Sequence, residues 1–241
     1  MHFIYKNRSS DEFGIKIINT NNLSSPERNV ETKPIDGRNG DLLIDYGNYK
    51  NFELKFECDI IPHLAKRTLK DVARDMKIWL QSDYNYAEQV ISDDLETKYE
   101  AVCINKLDIE RIAREFGSIL IKFNCKPYKK LVDSMITVTS KNTIINNQYE
   151  ISYPSIKILG AGDVIIKINQ QEVVLKDIQD YIIIDSELMN AYKTTSVTND
   201  IINQNQKMFS DFPILEQGTN NISWTGNVTK IEITPRWAVL I

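Results

Sequence analysis

Phe52, Leu54, Phe56, Cys58 and Ile60 alternate strictly with Asn51, Glu53, Lys55, Glu57 and Asp59. A period of two places every apolar side chain on one side, so this segment predicts a strand with one buried face. Just upstream, Gly37-Arg38-Asn39-Gly40-Asp41 holds an Asn-Gly pair followed by Leu42-Leu43-Ile44, and Gly47-Asn48 adds a second turn signal; the punctuation is that of a hairpin. Past Pro62 the period lengthens. Leu69, Val72, Ala73, Met76, Trp79 and Leu80 recur every three or four residues, while Lys66, Arg67, Lys70, Asp71, Arg74, Asp75 and Lys77 occupy the other side. This predicts one amphipathic helix lying on a sheet, with the Met76 and Trp79 stripe packed into the core rather than lining a ligand pocket.

Residues 82–98 are polar and read as a loop, and Tyr99–Ile104 reads as a strand. Leu107–Phe116 fits either a helix or a strand; in its β-rich surroundings a strand entering a hairpin at Gly117 is the preferred reading. Ile119, Ile121, Phe123 and Cys125 alternate with polar neighbours up to Pro127, which closes the strand. A first domain is expected over residues 1–130 and a second over 131–241. The second has a different texture: Ile156–Leu159, Val164–Ile168, Val173–Leu175, Tyr181–Ile184, Ile222–Trp224 and Val228–Ile233 are short β-branched runs between turn residues, with at most one helical turn at Ser186–Tyr192. Short strands at regular spacing without helices predict an antiparallel sandwich. The expected class is mainly β, with an N-terminal β-sandwich carrying the one helix and a C-terminal antiparallel sandwich.

Composition bounds the function. The 241 residues are 42% hydrophobic, enough for a core in each of two domains. No apolar run approaches the ~20 residues that span a bilayer. Lys6, Arg8, Asp11 and Glu12 interrupt the N-terminus before a signal peptide could form, so folding in a cytoplasm is expected. The three cysteines, Cys58, Cys103 and Cys125, are widely spaced and lack a CxxC pair, as buried free thiols would be. The net charge of −4 falls wholly on residues 131–241, since residues 1–130 balance to zero. Neither half has the basic excess that phosphate neutralisation requires, which disfavours a sequence-reading nucleic-acid binder.

Catalytic signatures fail one by one. With two histidines in the chain, a metal centre or a Ser-His-Asp triad would rest on His63, a helix-entry loop residue. Gly160-Ala161-Gly162 opens like a dinucleotide fingerprint, but Ile165 stands at the third glycine position and a strand follows. Asp36, Asn39 and Asp41 fall short of a calcium loop because Arg38 and Gly40 occupy ligand positions. Asp185 and Glu187 are acidic candidates for glycoside chemistry, but nothing in their spacing sets them across a sugar. Trp224 and Trp237, with Tyr153 and Tyr181, could form a sugar-stacking platform, although the alternation of Trp224 with Ile222 favours a core position. A chain of this length without a catalytic cluster fits an assembly or binding component better than an enzyme.

Four stretches in series resemble one family. Pro34–Cys58 (PIDGRNGDLLIDYGNYKNFELKFEC), Ile119–Lys130 (ILIKFNCKPYKK), Ile158–Lys193 (ILGAGDVIIKINQQEVVLKDIQDYIIIDSELMNAYK) and Phe212–Trp237 (FPILEQGTNNISWTGNVTKIEITPRW) are similar to the distal tail proteins of long-tailed, non-contractile phages and prophages of Gram-positive bacteria. The Asn169-Gln170-Gln171 turn departs from the glycine-containing hairpin of that pattern. The resemblance implies a non-enzymatic virion component at the tail tip, made in the host cytoplasm, without cofactor or metal and without a membrane. It implies a homo-hexameric ring joined through the N-terminal sandwich and its helix, with a galectin-like C-terminal sandwich outside. The implied partners are the tail tube protein, the tape-measure protein and the tail-tip, tail-associated lysin-like protein, with DNA passing through the lumen without specific binding. Asp36, Gly37, Arg38, Asn39, Gly40 and Asp41 become candidate ring contacts. The alternative is a carbohydrate-binding module that recognises host cell-wall saccharides through Tyr153 and Trp224. Two sandwiches leave no stretch long enough for an inserted sugar-binding domain, so the connector reading is preferred.

Overall fold

The computed structural model describes residues 1–61, 66, 68–107, 119–132, 135–195 and 200–241. His63, and residues 108–116 of the segment read as helix or strand, lie outside them. The chain divides into two compact units, Met1–Val132 together with Leu240–Ile241, and Asp133–Val239.

The first unit contains β1 (Phe3–Tyr5), β2 (Arg8–Ser9), β3 (Ile15–Thr20), β4 (Arg28–Lys33), β5 (Leu42–Tyr49), β6 (Phe52–Ile60), α1 (Leu69–Gln81), β7 (Ala87–Ile91), β8 (Asp94–Cys103), β9 (Ile119–Cys125) and β10 (Tyr128–Leu131). Its sheet runs β2-β1-β7-β8-β9-β6-β3, and β10 pairs with β8. Strand β6 behaves as its alternation predicts: Phe52, Leu54, Phe56 and Cys58 are buried, in register with Cys125, Phe123, Ile121 and Ile119 of β9.

Helix α1 starts where the Thr68 hydroxyl accepts the Asp71 N–H at 3.2 Å, an N-cap that also brings an acidic side chain to the positive end of the helix. It buries Val72, Ala73, Met76, Trp79 and Leu80. Trp79 is the keystone of this core. Its ring lies nearly parallel to Phe13 at 4.4 Å and to Phe3 at 5.6 Å, and its Nε1–H donates to the Tyr5 carbonyl at 2.8 Å. Phe13 reaches it from a single 3-10 turn capped reciprocally by Ser9 and Glu12.

The segment 82–98 is not the loop expected from its polarity: β7 and the first half of β8 form a hairpin through Ser92-Asp93. Gln89 occupies a fully buried position of β7, and its polarity interrupts the alternation by which the strand would otherwise be recognised. Gly47 likewise makes no turn between strands. It lies inside β5 with φ 74°, where the β4–β5 register shifts.

The second unit contains β11 (Ile136–Val138), β12 (Thr143–Asn147), β13 (Ser155–Ile168), β14 (Gln171–Ile178), β15 (Tyr181–Asp185), β16 (Asn190–Thr194), β17 (Ile201–Asn203) and β18 (Gly218–Thr234). The order is β11-β18-β13-β15-β16-β17, with β12 on β18 and β14 on β13. Runs that read as separate short strands are parts of two long ones, β13 and β18, which pair antiparallel with register shifts around Gly160–Ile165. A Cβ on Gly160 would sit 2.3 Å from the Asn227 carbonyl oxygen, and one on Gly226, whose φ is 91°, 2.3 Å from that of Asp163. The two strands can cross this closely because both positions lack a side chain. Residues 186–189 form a turn into β16, not a helical turn, and Asn169 takes φ 53° in the β13–β14 turn where a glycine was expected. Both units are antiparallel β-sandwiches, the first with the single α-helix among the described residues, the second of galectin-like form. Among the described residues no helix is long and apolar enough to cross a membrane.

Candidate interface on a hairpin arm

Strands β4 and β5 pair with each other and with no other described strand. Six-residue β4 carries the hairpin about 20 Å from its base. The hairpin is stiffened from within. Arg28 meets Asp45 at 2.7 Å and lies over the Tyr49 ring, the Tyr46 hydroxyl donates to Glu31 at 2.6 Å, and the Asn29 amide donates to Asn48 at 2.9 Å. The Gly47 N–H and the Arg28 guanidinium hold the Asp45 carboxyl below the usual carboxylate range. At the base, Tyr49 meets Tyr128 edge to face, with centroids 6.2 Å apart.

Beyond that base the arm exposes what a strand pair normally hides. Ile35, Leu42, Leu43 and Tyr46 are all open to solvent, Leu43 at 63%. The residues singled out from sequence, Asp36, Gly37, Arg38, Asn39, Gly40 and Asp41, form the exposed tip, where Gly37 and Gly40 both take left-handed backbone. The apolar residues beside them were missed. Their signal is the uninterrupted run Leu42-Leu43-Ile44, which gives no single buried face in a strand that its own chain does not cover.

The other candidates have structural partners. Trp224 is 5% exposed in the core of the second unit, whereas Tyr153 is 53% exposed, so the two rings do not share an accessible platform. Trp237 packs against the same core, and the Tyr181 hydroxyl donates to the Thr194 carbonyl at 2.6 Å. Asp185 and Glu187 share one cation: both nitrogens of the Arg236 fork lie 2.7 Å from the Asp185 oxygens, and Nη1 is 3.4 Å from Glu187. Burial works against the Asp185 charge, but Arg236 and the Leu188 N–H outweigh it and hold its pKa low. Cys58, Cys103 and Cys125 are buried free thiols, pushed up by burial to about 12, 11 and 12 respectively. Among the described residues no group of three or more His, Cys, Asp or Glu could hold a metal ion.

Two sandwiches in this order, the first with a sheet-covering helix, are a fold that the chain shares with solved phage hub and baseplate proteins. The chain is similar to the Dit protein (gp 19.1) of phage SPP1, with a TM-score of 0.74 and 11% identity over 97% of this chain and 98% of that one. That protein is described as a paradigm of the hub adsorption apparatus in phages infecting Gram-positive bacteria. A chain of the phage p2 baseplate, in its activated conformation with Sr, matches with a TM-score of 0.53 and 11% identity over 96% and 97% of the two chains. No protein-family model and no curated protein matches the sequence.

Proposed function

We propose that the protein is a non-enzymatic connector of a phage tail tip, in which six copies close into a ring through the first unit. The ring joins the tail tube protein to the tail-tip protein, meets the tape-measure protein, and lets DNA pass without specific binding. The observation that carries this reading is the β4–β5 arm. A lone two-stranded hairpin is marginal in water, and one that exposes Ile35, Leu42, Leu43 and Tyr46 presents a surface suited to a second chain. An arm meeting a different surface on its neighbour is a heterologous contact, and such contacts close into rings when the rotation allows. The balanced charge of the first half suits a lumen that DNA must leave freely. The full-length fold match to a phage hub protein supports the same place in the virion.

The test is mass photometry and negative-stain microscopy of the purified chain. Rings with the mass of a hexamer, or of a multiple of one, are expected. A strictly monomeric species across high protein concentrations refutes the proposal.

A further inference from the structure

We propose that Asn39 is a site of spontaneous covalent modification: in the native turn its side-chain amide condenses with the backbone nitrogen of Gly40, releases ammonia, and is converted by water into aspartate and isoaspartate. The chemistry needs no second chain, so the inference does not rest on the ring reading.

The sequence supplies the pair once. Asn39-Gly40 is the one asparagine-glycine step in the 241 residues. Ring closure requires the nitrogen of the following residue to reach Cγ of the asparagine amide. A Cβ on that following residue obstructs the approach, and glycine has none. The structure supplies the freedom. Asn39 and Gly40 are both exposed, and the space a Cβ on Gly40 would take is open. The turn is closed one step earlier, where the Arg38 N–H donates to the Ile35 carbonyl at 3.2 Å. Among the described residues neither the Asn39 amide nor the Gly40 N–H makes a hydrogen bond.

Two asparagines of the same arm provide the contrast. The amides of Asn29 and Asn48 are joined at 2.9 Å, and bulky Val30 and Tyr49 follow them. A committed amide and a following side chain both oppose ring closure there. At Asn39 neither obstacle exists, so the side chain reaches the reactive rotamer without any part of the fold opening first.

The step balances without an oxidant or a metal. A bond forms from the Gly40 nitrogen to Asn39 Cγ, the Cγ–Nδ2 bond breaks, and Nδ2 leaves as ammonia with the proton from Gly40. Water then opens the five-membered imide. Attack at Cγ gives aspartate, and attack at the main-chain carbonyl gives isoaspartate, which routes the backbone through the side chain. Either product adds a carboxylate to a tip where Asp36, Arg38 and Asp41 sum to about −1, taking it to about −2.

The test is incubation of the full chain at mildly alkaline pH, in native buffer and in parallel in denaturing urea, followed by peptide mapping that separates aspartate from isoaspartate. A gain of about 1 Da at residue 39 is expected, with both products present and a native rate within about threefold of the unfolded one. In Asn39→Gln the longer side chain would have to close a six-membered ring, and no gain at residue 39 is expected over the same period. A native rate more than about tenfold below the unfolded rate overturns the inference, because the turn would then need to open first. So does aspartate formed without isoaspartate, or conversion of Asn29 or Asn48 in the native arm as fast as that of Asn39.

Discussion

Replacing Arg236 by Met removes the cation that faces the buried Asp185 carboxylate in the second unit. The Asp185 side chain is 2% exposed, and the Arg236 fork bonds both of its oxygens at 2.7 Å. Arg236 makes this contact from a left-handed backbone with φ 54°, a conformation that costs a bulky residue about 1 kcal/mol or more and that the ion pair must outweigh. Removing one partner of a buried pair costs about 3–5 kcal/mol, because the other charge stays buried. Arg236 retains 21% exposure, which lets water replace part of it, so the lower end, about 3 kcal/mol, applies. For a unit of this size that lowers the unfolding midpoint by roughly 12 °C or more.

The pH dependence of the same variant has a definite sign. In the wild type the carboxyl pKa is held below its unfolded value, so the stability it confers is present above about pH 4 and lost as pH falls through the lower folded pKa. In Arg236→Met only the Leu188 and Glu187 N–H groups still oppose burial, so the carboxyl pKa rises above its wild-type position, and the penalty is full at neutral pH and shrinks as acid protonates Asp185. Calorimetry of the full chain from about pH 2.5 to 8 reads both effects, and the double variant Asp185→Asn/Arg236→Met is expected to recover more than half of the loss. A loss below about 1 kcal/mol at neutral pH, or an Asp185→Asn change that adds to the loss instead of relieving it, would refute the buried-pair reasoning.

Further outcomes follow from the two cores. Trp79→Ala is expected to destabilise the first unit by about 3–5 kcal/mol, measured by urea unfolding, since it removes a ring stacked on two others together with its bond to Tyr5. Gln89→Met is expected to stabilise the same unit by about 1 kcal/mol, because among the described residues both polar atoms of the Gln89 amide are buried without a partner; a lower unfolding midpoint would count against this. Gly226→Ala is expected to prevent stable folding of the second unit, read as loss of the cooperative transition, as its Cβ would meet the Asp163 carbonyl. At pH 7–8 a thiol reagent should find no fast-reacting cysteine in the native chain and three after unfolding, since all three thiols are buried and protonated there.

Legibility of the fold followed burial. Strand β6 and helix α1 could be read because one face of each is covered by its own chain, and that coverage is written as a period of two in Phe52–Cys58 and of three to four in Val72–Leu80. Strand β7 was hidden because a buried position is filled by Gln89. Strands β13 and β18 read as fragments because glycine and asparagine, taken as turn formers, here mark a close strand crossing around Gly160 and Gly226. In each case a tertiary contact set the residue type and local propensity pointed elsewhere.

The same reasoning separates the stretches on which the family resemblance rests into two kinds. The YIIIDSE stretch and the terminal PRW lie far apart in sequence, yet they meet as Asp185 and Arg236, a pair that serves the second sandwich from inside. Their recognition therefore identifies a fold, and fold alone does not assign function. The GRNGD tip is different, because nothing in the described chain explains its free carboxylates or the bare leucines beside it. A stability requirement would have paired Asp36 and Asp41 and covered Leu43, as it paired Asp185 and covered Trp224. In the proposed ring the partner of these side chains is a neighbouring copy, so assembly assays are the test of that reading.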